Sequence, residues 1–146
     1  MTYGTFNNRK INFKCSNDFD IVDMNKEGYV VRLLNNVTGA AISMAVQKNS
    51  GDSLKDICNR TVEDFRNKGL KVLSSNVSRK FARNVLAINY LEINQGVNVL
   101  RKSIGFVVGK DFYTFEYAFV EGQSVFEDEE AFKIAIESFE VNRGYY

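Results

Sequence analysis

Proton transfer in this chain would fall to carboxylates and tyrosines, because none of its 146 residues is a histidine. Glu92 and Glu116 fall on expected strands of neighbouring hairpins, and two carboxylates on one sheet can act as acid and base. Charged cross-strand neighbours on a solvated face are the commoner reason for such a placement, so no residue is assigned a catalytic role. Strand alternation would put Arg32, Ser43, Gln47, Asn89, Arg101, Ser103, Thr114 and Glu116 on one polar sheet face. Two arginines on a mildly curved face can hold a small anion or a partner's acidic loop. Arg32, Arg101 and Glu116 are therefore the candidate ligand-binding residues, weighed against a plainly solvated face. Tyr90 is the nearest candidate for an isolated reactive tyrosine in the apolar interior, although tyrosine is also an ordinary half-buried strand residue.

Other motifs carry less. Ser–His and Cys–His nucleophile pairs need a histidine, as do the usual zinc sites, so no metal or cofactor is expected. Asp18, Asp20 and Asp23 are spaced faintly like a calcium loop but lack its glycine and terminal glutamate. The basic run Ser78-Arg79-Lys80-Phe81-Ala82-Arg83 holds one aromatic, yet it sits where a hairpin should turn and has no surrounding basic surface, so nucleic acid is not expected. Gly105 and Gly109 lack the Lys-Ser/Thr ending and the following helix of a phosphate loop. Cys15 and Cys58 form no metal-binding spacing. Cys58 falls on a helical apolar stripe, which reads as a buried free thiol, with a disulfide as the alternative.

The elements that must position these residues follow from composition and pattern. A hydrophobic fraction of 45%, a charged fraction of 25% and a formal net charge of +1 are those of an ordinary globular domain without a long-range field for nucleic acid or an anionic membrane. No apolar run approaches the roughly 18 to 20 residues of a membrane span. The place in the cell is open between the cytoplasm and, if an export signal or lipid anchor belongs to the protein, the cell envelope.

Residues 1–10 read as a flexible lead-in, 11–141 as a single domain and 142–146 as a tail. Ile11–Cys15, Phe19–Val22, Tyr29–Leu34 and Ala40–Lys48 alternate as short strands, with Asn25-Lys26-Glu27-Gly28 as a hairpin turn. Ser53 and Asp56 approximate a capping box. Leu54, Ile57, Cys58, Thr61, Val62 and Phe65 then run at helical spacing to Gly69, predicting a helix over 53–68. Leu70–Ser78, Asn84–Asn94, Val97–Val108 and Phe112–Val120 form a meander, and Glu127–Glu130 open a closing helix at 128–138. The expectation is an α+β fold: an antiparallel sheet of about six to seven strands with both helices on its aromatic face.

This order of elements resembles the PsbP-like group, which includes PsbP, the Mog proteins and DcrB-type lipoproteins. The resemblance rests on Ile11-Asn12-Phe13-Lys14-Cys15-Ser16-Asn17-Asp18-Phe19, where Phe19 stands in for the tryptophan of the group's opening turn and no proline is present. It rests also on the closing Phe132, Ile136, Ser138, Phe139 and Val141. It implies a non-enzymatic binding or accessory domain with a protein partner. A small-ligand protein or small enzyme using a cup between sheet and helices is the alternative, and a trimmed envelope lipoprotein domain a third. The histidine-dependent metal binding of some members does not carry over, and nothing in these residues supports Ran binding. An uncovered strand edge would allow a homodimer.

Overall fold

The computed structural model describes residues 2–26, 28–142 and 144. Its elements are β1 (Tyr3–Asn7), β2 (Ile11–Ser16), β3 (Asp20–Lys26), β4 (Tyr29–Leu34), β5 (Ala41–Lys48), α1 (Leu54–Asn67), β6 (Lys71–Lys80), β7 (Arg83–Asn94), β8 (Val97–Val108), β9 (Asp111–Val120), α2 (Phe126–Glu137) and β10 (Glu140–Val141). Seven strands form an antiparallel sheet in the order β3-β4-β5-β9-β8-β7-β6, and β1-β2-β10 form a smaller antiparallel one. The α+β class and the meander expected from the sequence are both present.

The helices lie on opposite faces of the large sheet, not on one. On the first face α2 and the small sheet cover Val85, Ile104, Phe106, Tyr113, Phe115, Tyr117 and Phe119. On the second, Ile57, Cys58 and Val62 of α1 pack on Leu86, Ile88, Tyr90 and Phe112. Side chains alternate along a strand, so β7 is apolar on both faces and can seat a helix on each. The aromatic row of β9 is covered as expected, but by α2 and the small sheet.

The lead-in is also more structured than its composition suggests. Tyr3–Asn7 pairs with β2 along its whole length, Phe6 is buried, and its ring stands 5.1 Å from that of Phe13. Lys10, in the turn that follows, reaches the buried Asp111 at 2.7 Å, and Lys48 reaches the same carboxylate at 3.1 Å. These cations hold the Asp111 carboxyl below its ordinary range, the Lys10 hydrogen bond contributing most. At the other end, the Asn142 backbone N–H donates to the Lys10 carbonyl at 2.7 Å. Glu27 of the expected turn, Met1 of the lead-in and Arg143, Tyr145 and Tyr146 of the expected tail lie outside the described residues.

Local chemistry fixes both helices. The Ser53 hydroxyl caps α1 by accepting from the Asp56 N–H at 3.1 Å, and Gly69 takes the left-handed φ of +81° that ends it. The start of α2 is tied instead to the β4–β5 turn. Asp128, 2% exposed, accepts from Asn35 Nδ2 at 2.9 Å and from Thr38 Oγ1 at 2.6 Å, which gives each oxygen of this buried side chain a donor. Cys15 is half-buried and Cys58 buried, both as free thiols.

Candidate functional site

Small residues make the site. On the face that carries α1, the cross-strand rows run Ser43–Glu116–Ser103–Ile88 and Ala45–Thr114–Gly105–Leu86 over β5, β9, β8 and β7. α1 packs over β6 and β7, leaving the floor of Ser43, Ala45, Ser103, Gly105 and Thr114 with little side-chain volume above it. The result is a cup of about 460 Å³, walled by Thr61 and Phe65 of α1, Gly28 and Tyr29 at the start of β4, and Val46, Gln47 and Phe112. That size falls within the usual range for small-molecule sites.

Gly105 is required by Phe112, whose ring lies across it: a Cβ there would stand 2.4 Å from Phe112 Cζ. Gly105→Ala must displace a ring that is only 7% exposed. The substitution is expected to cost about 1–3 kcal/mol, read as a lowered urea midpoint; an unchanged midpoint would show that the ring yields freely.

A charged network closes the deep end of the cup. Tyr90 donates its hydroxyl to Glu116 Oε1. Arg101 Nη1 stands 3.4 Å from Glu116 Oε2, and Arg101 Nη2 stands 3.2 Å from Glu92 Oε1. Arg101 Nε is buried and has no hydrogen-bonding partner among the described residues. The Phe65 ring packs on Tyr90 with 4.4 Å between centroids, shielding the network from the α1 side. Burial raises the Glu116 carboxyl above its ordinary range, against the opposing pull of the Tyr90 hydrogen bond and the Arg101 charge. The Tyr90 phenol is raised too, first by burial and then by the neighbouring Glu116 carboxylate, so it acts as a donor and stays protonated at neutral pH.

Of the residues singled out in the sequence, Arg101, Glu116, Glu92 and Tyr90 converge here, with Ser43, Gln47, Ser103 and Thr114 around the cup. Arg32 shares the face but not the network: it pairs with Asp23 at 3.7 Å and lies 5.0 Å from the centre of the Tyr29 ring. Asn89 is on the opposite face, in register with Lys102 rather than Arg101, and its amide donates to Ser74 Oγ at 3.1 Å. The basic run 78–83 spans the end of β6, the turn and the first residue of β7, and none of it lines the cup. There Arg83 is spent over the Phe106 ring at 4.3 Å and Arg79 on the Ala82 carbonyl at 3.2 Å. Phe65 and Phe112 as cup walls were not anticipated; both read as ordinary core positions. The signal that could have shown a floor is the small residues at alternate positions, Ser43 and Ala45 of β5 and Ser103 and Gly105 of β8.

No family model matches this sequence, and no curated protein does. Solved structures do. Cyanobacterial PsbP (CyanoP) from Synechocystis sp. PCC 6803 superposes with a TM-score of 0.72 at 11% identity, over 97% of this chain and 93% of that one. The Saccharomyces cerevisiae Ran-binding protein Mog1p gives 0.66 at 9% identity, over 97% and 96%. LpqN, involved in cell envelope biogenesis of Mycobacterium tuberculosis, gives 0.62 at 7% identity, over 97% and 91%. The chain has the PsbP/Mog-like fold. At these identities the likeness concerns the backbone and assigns no activity.

Proposed function

We propose that this chain is a non-enzymatic binding domain whose ligand is a small molecule held in the cup between α1 and the large sheet. The observation that carries this reading is an open concave site of about 460 Å³ with apolar walls and one buried hydrogen-bonding centre, Tyr90–Glu116, at its end. A catalytic role is not assigned, because Glu116 is engaged by Tyr90 and Arg101.

The neutral dye Nile red tests the reading. It is expected to brighten on binding with one site per chain, and Ala45→Phe, which places a ring in the cup, should abolish the signal while the far-ultraviolet spectrum stays native. Binding unaffected by Ala45→Phe would place the dye elsewhere and remove the proposal.

One observation favours a second reading, a protein partner or a second copy of the chain. The edge strand β3 leaves Ile21, Val22 and Met24 about half exposed, at 51%, 50% and 47%. A Ran-binding protein shares the fold, so the scaffold is compatible with protein recognition. Failure of the cup test would shift the search to this edge.

A further inference from the structure

We propose that the cup selects a small organic cation, an ammonium group on a compact apolar or aromatic body, with Glu116 as its counter-ion. The inference rests on the reading of the cup as a binding site and adds the charge of its ligand. Among the described residues that line the cup, Glu116 is the only acidic one, and none is Lys or Arg. The arginine nearest to it, Arg101, is no exposed anion receptor: its two terminal nitrogens face Glu92 and Glu116, one positive charge against two negative. An anion entering the cup would meet a carboxylate with its compensating cation behind it. An ammonium would meet the carboxylate first.

The geometry leaves Glu116 room to accept. A carboxylate has about four lone-pair sites, and the protein supplies one donor to each oxygen, Tyr90 to Oε1 and Arg101 to Oε2. Charge-assisted hydrogen bonds in such a shielded place are stronger than neutral ones. The surrounding rings of Phe65, Tyr90, Phe112 and Tyr29 suit the apolar body. Arg32, over Tyr29 at the rim and paired with Asp23, does not reverse the sign inside.

Three probes of one shape separate the possibilities: 2-phenylethylammonium, 2-phenylethanol and phenylacetate, each titrated calorimetrically near neutral pH and in competition with Nile red. The ammonium is expected to bind about tenfold or more tightly than the alcohol, the increment of one charge-assisted hydrogen bond, and the phenylacetate more weakly than either. Glu116→Gln should bring the ammonium down to the level of the alcohol. Equal affinities, or a preference for phenylacetate, while Nile red still occupies the cup would overturn the cation inference and leave the cup standing as a binding site. No binding of Nile red or of any probe would overturn both. The comparison among probes is made on the unaltered protein, so it holds even if Glu116→Gln folds poorly.

Discussion

Arg101→Met should destabilise the protein by about 2–3 kcal/mol near neutral pH, and most of that loss should disappear on acidification. Removing one partner of a buried ion pair leaves the other charge uncompensated, which costs roughly 3–5 kcal/mol for a fully buried pair. The figure is lowered here because Arg101 and Glu92 are 27% and 35% exposed and solvent screens part of the interaction. The sign with pH follows from Glu116. Its folded carboxyl is already raised by burial, so its contribution to stability is full below the ordinary carboxylate range and is lost as pH rises through the raised value. Arg101 opposes that rise, so Met in its place raises Glu116 further and widens the window in which stability is lost. The groups facing Glu116 are Tyr90 and Glu92 of β7 and Arg101 of β8; Thr61 and Phe65 of α1 and Ser43 of β5 add no charge. Once pH falls to about 4, near the ordinary glutamate value, Glu116 is protonated and the variant should approach the wild type. Urea unfolding across pH measures this, and adding Glu116→Gln to Arg101→Met should recover part of the loss near neutral pH. A loss independent of pH would mean that Arg101 acts by packing alone.

Phe139→Ala should cost more, about 3–5 kcal/mol. Phe139 follows α2, is 2% exposed, and sets its ring 5.2 Å from Phe106, 4.8 Å from Tyr113 and 5.6 Å from Phe115. It locks the end of α2 onto the centre of the sheet, where neighbours fixed in strands cannot collapse into the space it leaves. Arg83, 5.7 Å from the Phe139 ring and 4.3 Å from that of Phe106, would lose part of its seat as well. The readout is a fall in the urea midpoint without a change in slope. The cup lies on the other face, so Nile red binding at low temperature should persist; its loss would show that the two faces are coupled. A cost below about 1 kcal/mol would contradict the packing described here.

Where the chain spoke plainly, local rules agreed with the tertiary structure. Ser53 and Gly69 bounded α1, and the parity of Ser43, Ser103, Thr114 and Glu116 put them on one face. β1 was hidden because its strand character comes from pairing with β2 and from packing Phe6 on Phe13, which its own short, mixed sequence does not announce. The side of each helix was hidden for a related reason. Amphipathic spacing shows that a helix buries a stripe but not which face receives it, and Leu86, Ile88 and Val85 offered apolar seats on both. The site was half legible. Arg101 and Glu116 could be placed on the same face from alternation, whereas the second pairing of Arg101 with Glu92, which commits the arginine, depends on the register between β7 and β8.

Backbone amide shifts on titration with the neutral Nile red test, residue by residue, whether the cup holds a small ligand, independently of the charge it prefers. The shifts are expected to concentrate on Ser43, Ala45, Ser103, Gly105, Thr114 and Glu116 of the floor and on Thr61 and Phe65 of α1. Shifts gathered instead along the β3 edge or around α2, or none at ligand excess, would contradict it.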